Sequence, residues 1–393
     1  MLNFEPLQYF MEHMMLGRTP GNAVEVYLKG ERVFQYACGY SDWENQIPLN
    51  GSELYNIYSC SKVSTVTAAL QLVERGLCKL DDPLYAYIPE FKQMYIKSED
   101  GVREAKNPIL LRHLFTMTSG LTYNTQSEGF QKAREITGGQ MDTLETMRCI
   151  AMDPLSFEPG EHWQYSLSHD MLGAVVQAIT GKKFRDYMRE NIFEPLQMNE
   201  TCYHHTPETL ARTAQQYQFV AEGGQVPSSV LERQSGNGEN KGTFQNIGKE
   251  NTMNAGPEYD SGGASVITSV SDYAKFTAAL ANYGMGITGE RILKPETVEM
   301  MRQNQLNPVQ LQDLHKWRQL AGCGYGLGVR THMSKEESGV CGNLGEFGWG
   351  GAAGATVIID PEIGLGVFYA QHIQYPREEY YQPRLRDIVY RCL

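Results

Sequence analysis

Hydrophobic positions along the chain follow two periods. In residues 4–16, Phe4, Leu7, Met11, Met14 and Met15 recur at helical spacing, which predicts a helix with one buried face. The run "AVEVYLKGERVFQYACGY" alternates apolar and polar residues and breaks at Lys29-Gly30, a hairpin signal. Residues 62–75 put Val63, Val66, Leu70 and Val73 on one helical face, with Gly76 as a natural stop. From 77 to 255 the pattern is mostly helical and cut by loops. Its clearest stripe is Met171, Leu172, Val175, Val176 and Ile179, closed by Gly181. Helical spacing returns at 271–283 and 294–303. Strand-like runs follow near 324–333, 354–360 and 365–372, the last two joined by the turn "PEIG". A final helix carries Leu385, Ile388, Val389 and Cys392 on one face.

Strands at both ends with helices between them predict an α+β fold. One antiparallel sheet, built from both ends of the chain and flanked by terminal helices, would carry an inserted, mainly helical lobe. The expected division is 1–60 and 262–393 for the sheet lobe and 61–261 for the helical lobe, with a ligand cleft between them. Residues 222–262 are polar and Gly-rich ("EGGQ", "SGNGENKG", "SGG"). Two readings stay open for them: a loop without a role, or a flap over a pocket.

Composition narrows the function classes. The chain is 41% hydrophobic and 20% charged, ordinary for a globular protein. A formal net charge of −12 argues against nucleic acid, whose binding needs clustered Lys and Arg. No segment reaches the roughly 18 apolar residues of a membrane helix. The N-terminal stretch has Glu5 and Glu12 among its apolar residues and does not read as a signal peptide. The eight cysteines are scattered with no C-x-x-C pair, which predicts free thiols in a reducing cytoplasm. No metal and no cofactor are expected. "GMGITG" follows a helical pattern and leads to a turn, the wrong setting for a dinucleotide loop. His204-His205 lacks partners at ligand spacing.

The stretch "YSCSK", Tyr58 to Lys62, holds the one Ser-x-x-Lys match. About one such match is expected by chance in a chain of this composition. Its position is more telling. Ser59 stands at the predicted first turn of a helix, where free N–H groups and the dipole favour negative charge. Lys62 shares its helix face. A serine hydroxyl attacks a carbonyl well only when a neighbouring base takes its proton. Lysine can serve if burial lowers its proton affinity. By itself, the tetrad reads more readily as a helix cap and a surface lysine.

Two distant stretches add to it: "PGEHWQYSLSHDMLGAVVQAITG" (159–181) and "FGWGGAAGATVIIDPEIGLGVFYAQH" (347–372). With "YSCSK" they resemble the class C β-lactamase-like serine hydrolases, a superfamily that includes penicillin-binding proteins and carboxylesterases. "LLRHLFTMTSGLTYN" (110–124), "ENIFEPLQMNETCY" (190–203) and "GGASVITSVSDYAKFTAALANYG" (262–284) are also similar to segments of that family, in the expected order. The resemblance implies a β-lactamase/transpeptidase-like fold and a covalent acyl-enzyme. It implies Ser59 as nucleophile, Lys62 as its partner base and Tyr165 as the tyrosine that opens the second motif. An adjacent ammonium would stabilise the Tyr165 phenolate. Trp349-Gly350-Gly351 falls at the third motif, and the backbone N–H groups of Ser59 and Ala352 would form the oxyanion hole.

The chain departs from that pattern twice. Tyr165-Ser166-Leu167 has Leu167 where an Asn is usual, and Trp349 replaces a Lys that pairs with a substrate carboxylate. Both losses favour neutral, less polar acyl substrates, so Trp349, Gly350, Gly351 and Leu167 are candidate substrate-binding residues. Arg112 or Arg233 could supply the lost cation. His169 is expected to be structural, and Glu161 and Trp163 to pack. Three functions are therefore carried forward: an esterase or amidase on small acyl substrates, a β-lactamase or D-alanyl peptide hydrolase, and a non-catalytic binding protein on the same fold.

Overall fold

A computed structural model describes residues 2–15, 19–98, 101–221, 242–374 and 376–393. Its frame is an eight-stranded sheet. In chain order the strands are β1 (Gly21–Leu28), β2 (Glu31–Asp42), β3 (Ile47–Pro48), β4 (Cys323–Tyr325), β5 (Arg330–His332), β6 (Phe347–Gly348), β7 (Thr356–Asp360) and β8 (Leu365–Gln371). They lie side by side as β4-β5-β6-β7-β8-β1-β2-β3, and adjacent strands run antiparallel. The β1–β2 hairpin turns at Lys29 and Gly30, both with positive φ (53° and 81°). That geometry matches the right-handed twist of the flanking strands.

Period-2 alternation sorts the sheet's side chains onto two faces. Val24 and Val26 of β1 and Val367 and Tyr369 of β8 pack against two terminal helices, α1 (Glu5–Met14) and α5 (Glu378–Arg391). Ala23 and Tyr27, with Phe368 and Ala370, face the main core. There α4 (Val270–Ala281) lies on β8. A Cβ on Gly366 would meet the helix backbone at Thr277 and Ala278, so this strand needs glycine to let the helix close in. The remaining long helices are α2 (Ser61–Glu74) and α3 (Ser168–Thr180), both in the main core. Gly76 and Gly181, with φ of 68° each, stand at their C-terminal ends, as the sequence predicts.

The sheet edge is tied to α5 by a buried cluster. Arg330 of β5 makes two hydrogen bonds to Glu346, at 3.0 and 2.6 Å, and Arg386 of α5 makes two more, at 2.9 and 2.5 Å. All three side chains are at most 4% exposed.

Two expectations need correction. The span 77–255 holds more than helices. Tyr95–Ser98 pairs with Gly101–Glu104, and Gln216–Ala221 pairs with Gly242–Gly248, both antiparallel. The first of these is polar and largely exposed and gives little hydrophobic alternation to read, and the second lies at the ends of the polar, Gly-rich stretch. The run at 324–333 is two short strands, β4 and β5, because Gly326 and Gly328 form a turn between them. Of the polar stretch 222–262, residues 222–241 lie outside the described residues. Its far end is neither loose nor exposed: Asp260 to Gly263 are buried against α2 and α3.

Candidate active site

Ser59 follows the short strand Leu54–Asn56, which pairs with Ile267–Ser269. Tyr58 turns the chain in the left-handed region (φ 45°), strained backbone for a bulky residue. Its hydroxyl donates to Gln216 Oε1 at 2.6 Å, which pins the turn. Ser59 then occupies a single 3₁₀ turn, Tyr58–Cys60, that leads directly into α2. The nucleophile candidate is thus half-buried at a helix N-terminus, as the sequence predicts.

Lys62, one turn on, is completely buried. Its ammonium donates to Ser59 Oγ at 3.3 Å and to the Gly263 carbonyl at 2.7 Å. It lies over the rings of Tyr165 and Tyr123, 4.6 and 5.4 Å from their centroids. Burial pulls its pKa down from the ordinary lysine value to about 8, while the charge of Asp170 pulls the other way. A surface lysine would show neither feature. The segment that receives Lys62 is held along α2 by Thr65, which donates to the Gly262 carbonyl at 2.7 Å, and by Ser61, which accepts from the Val266 N–H at 3.1 Å.

Tyr165 enters from the loop before α3. That loop is hung on the 117–122 segment by Gln164 N–H to Met117 O (2.9 Å) and Leu167 N–H to Thr122 O (3.2 Å). The Tyr165 ring stacks with both Tyr123 (5.6 Å, 11°) and Trp349 (5.7 Å, 20°). Its hydroxyl accepts from Trp349 Nε1 at 3.3 Å, and the nearby Ser59 side chain acts on it to favour the phenolate. Burial raises the Tyr165 pKa, and Ser59 and Trp349 only partly offset this. The phenol is therefore held neutral. The expectation of a stabilised phenolate gives way to a proton donor beside a base of lowered pKa.

Trp349 carries an indole N–H that serves Tyr165, and its ring packs with Trp317 and Tyr325. Gly350 bridges to Thr356, and the Gly351 N–H bonds Ala355 O at 2.8 Å. Any Cβ on Gly351 would collide with the Ile57 carbonyl, so the third-motif backbone abuts the chain just before Ser59. Cys60 Sγ approaches Trp349 O at 3.6 Å on the same seam. Ala352 packs on the small buried cluster of Tyr58, Ala264 and Ala353. Residues drawn from 58–62, 165 and 349–352 thus meet at one place. Leu167 does not open toward it: the side chain is 4% exposed within the main core.

Other candidates resolve plainly. Arg112 is partly exposed and pairs with Asp81; Arg233 lies outside the described residues. His169 is buried, bonds the Phe115 carbonyl at 3.4 Å, and is kept neutral by burial, its pKa lowered to about 3. His204 bonds Asp260 at 2.8 Å. Trp163 packs with Trp317 and Tyr325, and Glu161 is exposed. Sequence reasoning missed three contributors: Asp170, Gly263, and Trp317, which stands 5.1 Å from the Tyr165 ring.

The fold is that of the serine hydrolases built on a β-lactamase-like frame. The chain belongs to the Beta-lactamase family, whose model matches residues 7–391. It is 28% identical over 374 residues to Esterase EstB of Burkholderia gladioli, covering 91% of this chain and 87% of that one. It is also 28% identical over 367 residues to Acyltransferase calJ of Penicillium decumbens, covering 87% and 81%. Its fold is shared with the solved structure of EstCE1, a hydrolase with promiscuous acyltransferase activity, at TM-score 0.77 and 24% identity over 98% of both chains. The protein is a serine hydrolase acting on acyl substrates. Among the described residues no helix is long and apolar enough to cross a membrane.

Proposed function

We propose that the protein is an esterase that works on small, neutral acyl substrates through a covalent ester on Ser59. The observation that carries this is the fully buried Lys62 amine, 3.3 Å from Ser59 Oγ, with its pKa lowered to about 8. In the neutral form, Lys62 takes the Ser59 proton as Oγ bonds to the substrate carbonyl carbon. Negative charge builds on the carbonyl oxygen, and the N–H groups of Ser59 and Ala352 receive it. One such donor is typically worth about 3 kcal/mol in the transition state. The proton then passes by way of the Tyr165 hydroxyl to the leaving oxygen as the C–O bond breaks. Water, deprotonated along the same route, attacks the acyl-enzyme and regenerates Ser59.

Substrate class follows from what surrounds the nucleophile. Trp349 sits where the resemblance implies a lysine, and an indole offers an N–H but no positive charge. Tyr123, Trp317 and Trp349 surround Tyr165 with aromatic rings. The relatives' names, an esterase and an acyltransferase, agree with ester chemistry. The test offers a short-chain p-nitrophenyl ester, a chromogenic cephalosporin and a D-alanyl peptide to the same preparation, with mass mapping after a serine-directed phosphonate. Preferential ester turnover and one phosphonyl group on Ser59 are expected. Cephalosporin or peptide preference would overturn the substrate class, and an unmodified Ser59 would overturn the site.

A further inference from the structure

The mechanism above uses a buried lysine and leaves a buried carboxylate unexplained. Asp170, on the first turn of α3, is 1% exposed. It takes hydrogen bonds from the Tyr259 hydroxyl at 3.0 Å and from the Ser261 hydroxyl, both to Oδ1. Among the described residues Oδ2 accepts none. A buried carboxylate oxygen with no donor is costly, so its orientation calls for a reason. Gly263 supplies one. A methyl group on Gly263 would sit 2.5 Å from Asp170 Oδ2 and 3.1 Å from Lys62 Nζ. The carboxylate and the amine therefore face one another across the open side of this glycine, within about 6 Å, the range in which opposite charges shift protonation.

The other groups around Lys62 are neutral or act elsewhere. His169, beside Asp170 on α3, is kept uncharged by burial. Burial holds the Cys60 thiol and the Tyr165 phenol in their protonated forms. Tyr123 presents a ring face. Glu378, on α5, acts on Tyr165 and Cys60. Asp170 is the carboxylate whose charge acts on Lys62 and favours the ammonium.

We propose that Asp170 is a positioning residue of the active site, acting through Lys62: from the far side of Gly263 its carboxylate stabilises the ammonium that forms when Ser59 gives up its proton. The inference rests on the proposed role of Ser59 and Lys62. Burial alone would leave an amine too reluctant to accept the proton. The carboxylate restores its basicity without touching substrate or serine. Gly263 is then required twice, as acceptor through its carbonyl and as the gap through which the charges interact.

The experiment follows phosphonylation of Ser59 and ester turnover against pH in the wild-type protein and in Asp170→Asn and Ser261→Ala. Asp170→Asn removes the charge. Its rate plateau is expected to fall, and the midpoint reporting Lys62 to move down by about one pH unit. Ser261→Ala removes a hydrogen bond but no charge, and its midpoint is expected to stay in place. An unmoved midpoint in Asp170→Asn, or an equal shift in both variants, would overturn the proposal. If Asp170→Asn does not fold, Gly263→Ala parts the two groups sterically; a downward shift supports the proposal and an unmoved midpoint defeats it. Absence of phosphonylation in wild type at every pH would instead reject the underlying reading of Ser59.

Discussion

Two buried charge clusters in this molecule are built on opposite plans. At the sheet edge, Glu346 is gripped by Arg330 and Arg386 through four hydrogen bonds, and its pKa is driven down to about 2 despite burial. At the candidate site, Lys62 has a carbonyl, a hydroxyl and two ring faces, with Asp170 across a gap. Its pKa is displaced to about 8, within reach of neutral pH. Complete pairing fixes a charge and ties β5 to α5. Incomplete pairing leaves a group that can gain and lose a proton under ordinary conditions, which is what a general base requires.

The sharpest test of this contrast is loss of function without loss of fold. Ser59→Ala should lower ester turnover by roughly 10⁴-fold or more, with thermal stability unchanged. Lys62→Met comes next. Removing the base should slow acylation by about 10³-fold. A methionine there removes a buried charge but strands the Asp170 carboxylate and the Gly263 carbonyl, so the unfolding midpoint, read by calorimetry, should fall, though by less than in Glu346→Ala. Glu346→Ala should act chiefly on the fold. Two buried guanidinium groups lose their partner, stability falls by about 3–5 kcal/mol, and activity per folded molecule persists at low temperature. A stable Glu346→Ala protein would break the comparison.

Titration separates the clusters further. In the proposed mechanism the free Lys62 amine is the active form, so kcat/KM should rise through a midpoint near pH 8 and fall as pH drops below it. The Glu346 carboxylate has a depressed pKa in the folded state. Its stabilisation is present in full above the unfolded value near 4.5 and is lost as pH falls toward about 2. Chemical denaturation across that acid window checks the sign. The smallest effect belongs to Trp349→Phe, which keeps a ring and deletes the N–H donor to Tyr165. A drop in kcat of roughly 2- to 10-fold is expected, the worth of one neutral hydrogen bond, with KM little changed.

The helix ends, the β1–β2 hairpin and the two-ended sheet were legible because periodicity and turn glycines carry them locally. Ser59, Lys62 and Tyr165 were legible as motif positions, and the structure brings their side chains together. Asp170 was not, since nothing in "SHDML" distinguishes a charge aimed at a lysine from an ordinary residue of a helix's first turn. Gly263 lay in a polar, glycine-rich stretch that reads as loop, although its neighbours pack on α2. Trp317 joins the aromatic group through a contact between segments more than 150 residues apart, and no local spacing records it. Leu167 shows the converse. Its motif position suggested substrate, but an apolar side chain there satisfies the core instead.

The collision that forbids a side chain at Gly351 has a practical consequence. Because strand-end backbone rests directly on the Ile57 carbonyl, the spacing between the two halves of the proposed anion cradle is set by main chain on main chain, as a feeler gauge is set by its own thickness. Selection for bulkier acyl groups would find no give there, and would have to remodel the aromatic walls around Tyr165.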